Sequence, residues 1–391
     1  MRPKLFTPRN FLLALAAILT ATGLFAWQRN GGKIALIDQI PSTAGKIVFV
    51  RDGDIYMSDG ATGANTVALT KGGKGADAEP AWSANGETLT LTSDRSGVVR
   101  QLYIMNAVPG ATVAVRTNSS TTKEQPEWGA EGDIYFLDGG RIAKLTPKTA
   151  DTDAIFPTAE QKRKALADLF GAGGISRFAV SPDGKQFYAA VKQEQGEALI
   201  AFIPGESTVA AFGMGEKVLF RTTGTGELVA VICGGEPFAQ PLGIMTPQTI
   251  QEMNANPAFT APKLPQYSPS DTSVVLKINA QFVVEPLTPV PFLPNGLAIS
   301  ADGTRAAITS TNTEYPGVFV VPLDGSPKGG PVANIAASEP AFSPDGTRIA
   351  FVSGVDVYTT STEPGAANVP LNLTKGQGKN TNPVWSPAKG K

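Results

Sequence analysis

Three aspartates recur in one tight-turn context, and they are the carboxylates that most resemble a functional set. They are Asp183, Asp302 and Asp345, and a glycine follows each of them. Carboxylates gathered in one pocket could act as general acid and base, or could hold a cation. Each of these aspartates has its own turn, however, and Asp before Gly is ordinary turn chemistry. We therefore predict structural roles for them and no catalytic residue.

The composition excludes most other catalytic chemistry. The 391 residues include no histidine and a single cysteine, Cys233. Ser-His-Asp catalysis, Cys-His catalysis and histidine metal ligation are therefore excluded, as are internal disulfides and thiolate clusters. The net charge of −1, from 33 Lys+Arg and 34 Asp+Glu, lacks the basic excess that nucleic-acid binding needs. We expect no cofactor, no bound metal and no nucleic-acid partner.

Three further features of the sequence have simple structural explanations. Asp94 and Arg95 are adjacent, and we predict an ion pair or a turn clamp there. The stretch 52–54 (DGD) lacks the spaced ligands and the final glutamate of a calcium loop. Cys233 lies in a β-rich run, and we predict that it is a small buried apolar residue.

The amino terminus has the pattern of an export signal. Basic residues in 1–10 precede an apolar run over residues 11–27, and residues 28–45 read as a tether. The run has the minimum length of a membrane-spanning helix, and the basic flank favours a cytoplasmic amino terminus. We predict an uncleaved signal anchor, with a cleaved signal peptide as the alternative. The rest of the chain is then expected on the periplasmic or extracellular side of the inner membrane.

One motif recurs from residue 45 onward, and it carries the fold prediction. Its clearest copies are 79–86 (EPAWSANG) and 339–346 (EPAFSPDG), with partial copies at 125–132, 178–184, 297–303 and 382–387. The aromatic fills space between packed sheets, and the turn that follows needs a glycine with positive φ. The motif residues that we assign to this structural repeat are Trp82, Ser83, Gly86, Asp94, Arg95, Trp128, Ser181, Asp183, Gly184, Asp302, Gly303, Phe342, Ser343, Asp345, Gly346, Trp385 and Ser386.

Short β-branched and aromatic runs follow each motif, which predicts four antiparallel strands in about 43 residues. We predict an all-β propeller of four-stranded blades over residues 46–388. Dividing this span by the repeat length predicts eight blades, with seven and then six as the alternatives. Residues 46–50 begin a blade without the motif, and residues 382–386 supply an unpaired final strand. We therefore expect this last strand to close the ring.

Two segments interrupt the strand pattern. Residues 158–170 have helical spacing, and a helical turn is predicted at 248–253. Long excursions of this kind are either plain connectors or binding loops. Lys162, Arg163 and Lys164 give the first segment a basic face, which is either solvated surface or a possible partner contact.

The repeat resembles that of the TolB-like propeller family. The matching residues are 80–86 (PAWSANG), 93–97 (SDRSG), 102–105 (LYIM) and 69–70 (LT). The resemblance implies an exported propeller, whereas the chain leaves no room for the α/β domain that precedes the propeller in TolB. We therefore do not expect TolB itself.

Two functions remain open at this point. The first is a non-catalytic scaffold, anchored in the membrane by residues 11–27, that binds an envelope protein or a glycan. The second is a hydrolase or lyase that uses carboxylate or Ser-Lys chemistry in the central funnel, without the Gly-x-Ser-x-Gly elbow of α/β-hydrolases. We favour the scaffold and expect no enzymatic activity.

Overall fold

The structure is a computed structural model that describes residues 45–156, 174–206, 208–256, 264–265, 267–326, 329–365 and 368–388. These residues belong to one compact unit, residues 42–391. The predicted anchor at 11–27, nearly all of the tether, the predicted helix at 158–170 and its Lys162, Arg163 and Lys164 lie outside the described residues. Within the described ranges, no helix has both the length and the apolar character needed to cross a membrane.

Short strands form nearly all of the described chain because apolar or β-branched runs alternate with turn residues. The first half contains β1 (Lys46–Arg51), β2 (Asp54–Asp59), β3 (Val67–Ala68), β4 (Asp77–Trp82), β5 (Thr88–Ser93), β6 (Gln101–Asn106), β7 (Ala114–Val115), β8 (Lys123–Trp128), β9 (Ile134–Asp138), β10 (Ile142–Thr146), β11 (Asp151–Phe156), β12 (Ile175–Val180), β13 (Phe187–Lys192) and β14 (Glu197–Phe202). The second half contains β15 (Val209–Gly215), β16 (Lys217–Thr222), β17 (Leu228–Cys233), β18 (Glu236–Met245), α1 (Pro247–Ala255), β19 (Ser273–Ile278), β20 (Val284–Val290), β21 (Gly296–Ile299), β22 (Arg305–Ser310), β23 (Gly317–Pro322), β24 (Gly330–Ala333), β25 (Ser338–Phe342), β26 (Arg348–Ser353), β27 (Asp356–Ser361), β28 (Leu371–Asn372) and β29 (Asn380–Trp385).

The described strands form seven antiparallel sheets, and we number these blades by their order in the chain. From the innermost strand outward, the blades are β29-β1-β2-β3, β4-β5-β6-β7, β8-β9-β10-β11, β12-β13-β14-β15-β18, β16-β17-β19-β20, β21-β22-β23-β24 and β25-β26-β27-β28. The fold is thus an all-β propeller, as predicted.

The predicted ring closure is confirmed in blade 1. The strand β29 pairs with β1, so that Trp385 lies opposite Ile47 and Val384 opposite Val48. The backbone N–H of Ser386 also donates to the carbonyl of Lys46 at 2.8 Å. The two ends of the propeller sequence therefore share one sheet.

The predicted number of eight blades is wrong, and the structure has seven. The run 274–278 does not begin a further blade, because β19 pairs with β17 and is the third strand of blade 5. The intervening segment contains β18, which pairs with β15 as a fifth strand of blade 4. This segment is inserted between β17 and β19, and it lengthens the stretch of sequence that blade 5 occupies. Dividing the length of the propeller by the repeat length therefore gives too many blades.

The predicted helical turn at 248–253 lies within α1. The Thr246 hydroxyl caps this helix by accepting a hydrogen bond from the Thr249 N–H at 3.1 Å. A proline in the first turn suits this end of a helix, because its missing N–H has no helical partner there.

The core lies between neighbouring blades. Between blades 3 and 4, Phe156 stacks on Phe202 with 4.0 Å between ring centroids, and Tyr135 meets Phe187 edge-on at 5.4 Å. Similar apolar clusters lie between blades 4 and 5 and between blades 5 and 6. Because each blade buries its faces against its neighbours, the innermost strands are held around a central axis.

Candidate functional site in the central channel

The seven innermost strands surround a central channel with a cavity of about 610 Å³. Every blade contributes to its wall; one such residue from each innermost strand is Val384, Ala81, Glu127, Arg177, Arg221, Leu297 and Ala341, in the order of blades 1 to 7. A cavity of this size suits a small ligand or a side chain of a partner. It is therefore the candidate functional site.

On blades 7, 1, 2 and 3, a residue before a proline bends the innermost strand. Glu339, Asn382, Glu79 and Gln125 have φ near +50°, a left-handed conformation uncommon outside glycine. The pairing register shifts at the same point in each of these strands. These β-bulges redirect the side chains and leave backbone N–H groups in need of other partners.

The bulged residues use their side chains to join neighbouring blades. Glu79 accepts a hydrogen bond from the N–H of Gln125 at 3.1 Å, and Glu339 accepts one from the N–H of Asn382. The Gln125 amide in turn donates to the carbonyl of Ser176 on blade 4 at 2.7 Å. These groups hold the ring together, which explains why polar residues recur there.

Three other charged side chains of the channel wall have no ion pair with any described residue. They are Glu127 on blade 3, Arg177 on blade 4 and Arg221 on blade 5. The Arg221 Nη1 donates only to its neighbouring carbonyl, that of Phe220, at 3.1 Å. The Arg177 Nε is buried and has no hydrogen-bond partner among the described residues. These three groups remain available to a ligand.

The channel environment shifts the ionisation of its charged groups. Enclosure by the wall raises the pKa of Glu127 to about 7, and the positive charge of Arg221 only partly opposes this rise. Burial likewise lowers the pKa of Arg177. Burial also raises the pKa of Glu79, although hydrogen bonds from the Gln125 N–H and the Thr92 hydroxyl act to lower it. Glu127 is thus a carboxyl group that titrates near neutral pH.

The tryptophans of the repeat lie in the contacts between blades. The indole Nε1 of Trp82 donates to the carbonyl of Val384, that of Trp128 to Ala81, and that of Trp385 to Ala341. Each bond joins one innermost strand to that of the preceding blade. Phe342 occupies the same motif position in blade 7 without an indole N–H.

The predicted aspartates each form a separate turn, and the structure does not bring them together. The Ser343 hydroxyl donates to Asp345 at 2.6 Å and accepts from the Arg348 N–H at 2.9 Å. Equivalent bonds join Ser181 to Asp183, Ser300 to Asp302, and Ser83 to Asn85. The fourth turn residue has φ of about +70° in all four copies, at Gly86, Gly184, Gly303 and Gly346. Ser386, in the same motif position, accepts a hydrogen bond from the Lys46 N–H.

Arg95 pairs with Asp77, at the start of β4, rather than with its neighbour Asp94. Asp94 instead accepts the N–H of Ala76 at 2.6 Å. The next blade has the same clamp with its charges exchanged, because Lys123 at the start of β8 binds Asp138 at 2.7 Å. Both pairs fasten the start of an innermost strand to the end of the second strand of the same blade or to the turn that follows it.

Sequence reasoning missed Glu127, Arg177 and Arg221, although a signal for two of them was present. Two residues before the motif serine or its equivalent, the repeat has alanine in Ala81 and Ala341. Blades 3 and 5 place Glu127 and Arg221 at this position instead. A charge at a small-residue position is the signal, but the sequence alone does not show that the position faces the channel.

No protein-family model matches the chain, and no curated protein matches it. Among solved structures, the chain is similar to TolB from Acinetobacter baumannii, with 15% identity and a TM-score of 0.46 over 88% of this chain and 67% of that one. A putative TolB from Agrobacterium tumefaciens matches with 15% identity and a TM-score of 0.42, over 67% and 84% of the two chains. An oligogalacturonate lyase in complex with manganese matches with 12% identity and a TM-score of 0.42, over 83% and 99%. TolB propellers are thus among the structural neighbours of this chain, which is a seven-bladed β-propeller in its described part.

Proposed function

We propose that this protein is a non-catalytic binding scaffold of the cell envelope, anchored in the inner membrane, whose propeller binds a protein or a glycan through its channel. The observation that carries the proposal is that the charged side chains of the channel fall into two sets, one that joins blades and one that does not. Glu79 and Glu339 join blades, whereas Glu127, Arg177 and Arg221 have no ion pair among the described residues. Charges that the fold does not use are suited to contact with a ligand.

The connectivity supports binding at one face of the propeller. The connection from β17 to β19 joins the second and third strands of blade 5, and that from β11 to β12 joins blade 3 to blade 4. In an antiparallel propeller, these two kinds of connection emerge on the same face. The connection between β17 and β19 and the connection between β11 and β12 therefore start from and return to the same face of the propeller, which is the face where we expect a partner to bind.

The proposed location rests on the amino-terminal sequence. A basic segment followed by the apolar run 11–27 is typical of an exported protein held by its first helix. A propeller on the far side of the membrane would then meet envelope components rather than cytoplasmic ones.

The side chains of Lys123 and Ser119 are in hydrogen-bond contact, and the other contacts of Lys123 support a structural role for this pair. Lys123 donates hydrogen bonds to the hydroxyl groups of Ser119 and Thr121, whereas Ser-Lys hydrolysis would require the serine hydroxyl to donate to a neutral lysine amine. The same Nζ also donates to the Asp138 carboxylate at 2.7 Å and to the Thr121 carbonyl at 2.9 Å, so its donors are used in holding this loop. Lys123 is therefore better suited to holding the loop than to activating Ser119.

The test is an affinity capture of the full-length chain from detergent-solubilised membranes, with protein and glycan content both analysed. We expect reproducible recovery of one partner, and weaker recovery with the double variant Arg177→Gln/Arg221→Gln. The matched control is Lys185→Gln/Lys192→Gln, which removes the same charge from exposed positions of blade 4. Failure of the wild-type chain to enrich any partner would overturn the proposal. So would turnover of a glycan or peptide panel that the Glu127→Gln variant loses.

A further inference from the structure

We propose that Arg177 and Arg221 form a subsite in the channel that binds an oxyanion, either a carboxylate or a phosphate. This inference rests on the proposed binding function and assigns the ligand chemistry of the same site. It follows from the placement of two guanidinium groups that the fold brings together without giving either a carboxylate partner within the described residues.

The two arginines come from adjacent innermost strands. Arg177 lies in β12 of blade 4 and Arg221 in β16 of blade 5, and both line the channel. Arg177 precedes the motif serine, Ser181, by four residues, whereas Arg221 precedes its equivalent, Thr223, by two. At about 3.3 Å per residue, the two Cα positions differ in depth by roughly 7 Å along the channel axis. A ligand that enters the channel can therefore meet both guanidinium groups in succession.

Arg177 is the stronger evidence, because its Nε is buried without a hydrogen-bond partner among the described residues. The charge of the Glu197 carboxylate acts on Arg177, but the two side chains form no ion pair. Both oxygens of Glu197 are used elsewhere: one accepts from the Ser176 hydroxyl at 2.6 Å and the other from the Val218 N–H at 2.9 Å. Buried donors of native proteins are rarely left unpaired, so the described residues leave the hydrogen bonding of the Arg177 guanidinium incomplete.

An arginine fork matches the two oxygens of a carboxylate or phosphate better than any neutral group does. Arg221 uses Nη1 in one hydrogen bond to its own neighbouring carbonyl, and its other donors have no partner among the described residues. The side chain of Arg221 is exposed within the channel wall. An incoming oxyanion can thus bind there without breaking an existing ion pair.

Glu127 faces this subsite from blade 3 and competes with the ligand for Arg221. The other charged groups of the channel wall are Glu79 on β4 and Glu339 on β25, and both are engaged in bonds between blades. The pKa of Glu127 is raised to about 7 by burial, so the competing charge disappears as the pH falls below 7. Oxyanion binding should therefore strengthen from pH 8 to pH 6.

The experiment is calorimetric titration of the full-length chain in detergent with galacturonate, with its uncharged counterpart galactose and with inorganic phosphate. We expect saturable binding of galacturonate or phosphate but not of galactose, and the charged probe that binds identifies the source of the oxyanion. Arg177→Gln or Arg221→Gln should weaken this binding about tenfold or more. Arg221→Lys should restore part of it, and Lys185→Gln/Lys192→Gln should leave it unchanged. Circular dichroism of each variant verifies that it is folded.

Absence of saturable binding of both charged probes would overturn the oxyanion subsite, as would binding that the folded arginine variants retain. The pH arm compares the wild type with Glu127→Gln for the same probe, because phosphate itself loses charge between pH 8 and pH 6 whereas galacturonate does not. The affinity of the wild type relative to Glu127→Gln should rise as the pH falls, and a ratio that does not rise would contradict the role of Glu127. If the chain captures a partner and the arginine variants capture it equally well, the scaffold proposal stands and the subsite fails. If no partner is captured at all, the scaffold proposal itself fails.

Discussion

Trp385 lies opposite Ile47 in blade 1, which joins residues 338 positions apart in the sequence in one sheet. The indole of Trp385 also donates to the Ala341 carbonyl of blade 7 at 3.1 Å. A Cβ added to Gly60 would lie 2.0 Å from this indole, so the ring fits against bare backbone. Trp385 thus fastens the last strand to the blades on both sides of the closure.

We predict that Trp385→Ala lowers the free energy of unfolding by about 3–5 kcal/mol, because it empties a buried aromatic site at the closure. Trp385→Phe should cost only about 0.5–1.5 kcal/mol, the contribution of one hydrogen bond, since Phe342 fills the same position in blade 7. Denaturant unfolding of the two variants measures the difference. Equal losses would show that the closure does not depend on the packing of this ring.

The Lys123–Asp138 clamp should be energetically coupled. Lys123 is almost fully buried, so Lys123→Met leaves Asp138 without its main partner and should cost about 3 kcal/mol. A double-mutant cycle with Asp138→Asn should give a coupling energy of about 1–3 kcal/mol. The control cycle uses the exposed pair Lys185–Asp183, at 3.9 Å, where the coupling should be below about 1 kcal/mol. Similar coupling in both cycles would contradict the structural role of the buried clamp.

The motif turns should tolerate asparagine in place of aspartate at neutral pH. Asn85 already occupies this position in blade 2, so Asp302→Asn should change stability by less than about 0.5 kcal/mol at pH 7. The hydrogen bond from Ser300 lowers the pKa of Asp302. The stabilisation that this hydrogen bond provides is therefore complete above the pKa of aspartate in the unfolded chain, about 3.9. It is lost as the pH falls through the lower pKa of Asp302 in the folded chain. Thermal unfolding from pH 7 to pH 2 should show a shallower acid decline for Asp302→Asn; an unchanged decline would argue against this bond.

Glu127 should make the folded protein less stable as the pH rises. Its pKa of about 7 exceeds the unfolded value of about 4.3, so the folded chain retains a proton between these limits that the unfolded chain has released. Stability therefore falls across this window, by at most about 3–4 kcal/mol. Glu127→Gln should equal the wild type only below about pH 4, where both states of the wild type hold the proton, and should exceed it at pH 8. Glu124→Gln, exposed on the same strand, is the control, and it should not show this crossover.

Cys233 should be unreactive in the folded protein. Burial raises the pKa of its thiol to about 12, so the thiolate fraction at pH 8 is on the order of 10⁻⁴. Mass spectrometry after treatment with an alkylating reagent should show one added label only under unfolding conditions, since this is the only cysteine. Val98→Cys, at a residue that is 99% exposed, provides a fast-reacting control thiol. Rapid labelling of Cys233 in native buffer would show that blade 5 opens.

The motif turns illustrate what could be predicted before the structure was known. Ser343, Asp345 and Gly346 interact within a few residues, so their types and spacing contain most of the information about their geometry. Arg95 illustrates the opposite case, because its partner is Asp77, 18 positions earlier, and not the adjacent Asp94. A partner on another strand depends on sheet register, which is set by pairing along the whole blade.

The sequence by itself determined that short strands and recurring turns build a propeller, and that its last strand closes the first blade. Both follow from local turn chemistry and from the need to leave no open sheet edge. Only the tertiary structure decided the blade number, because hydrogen bonding assigns β18 to blade 4 and β19 to blade 5. It also brought Glu127, Arg177 and Arg221 to one channel, since convergence around an axis joins residues whose sequence positions are unrelated.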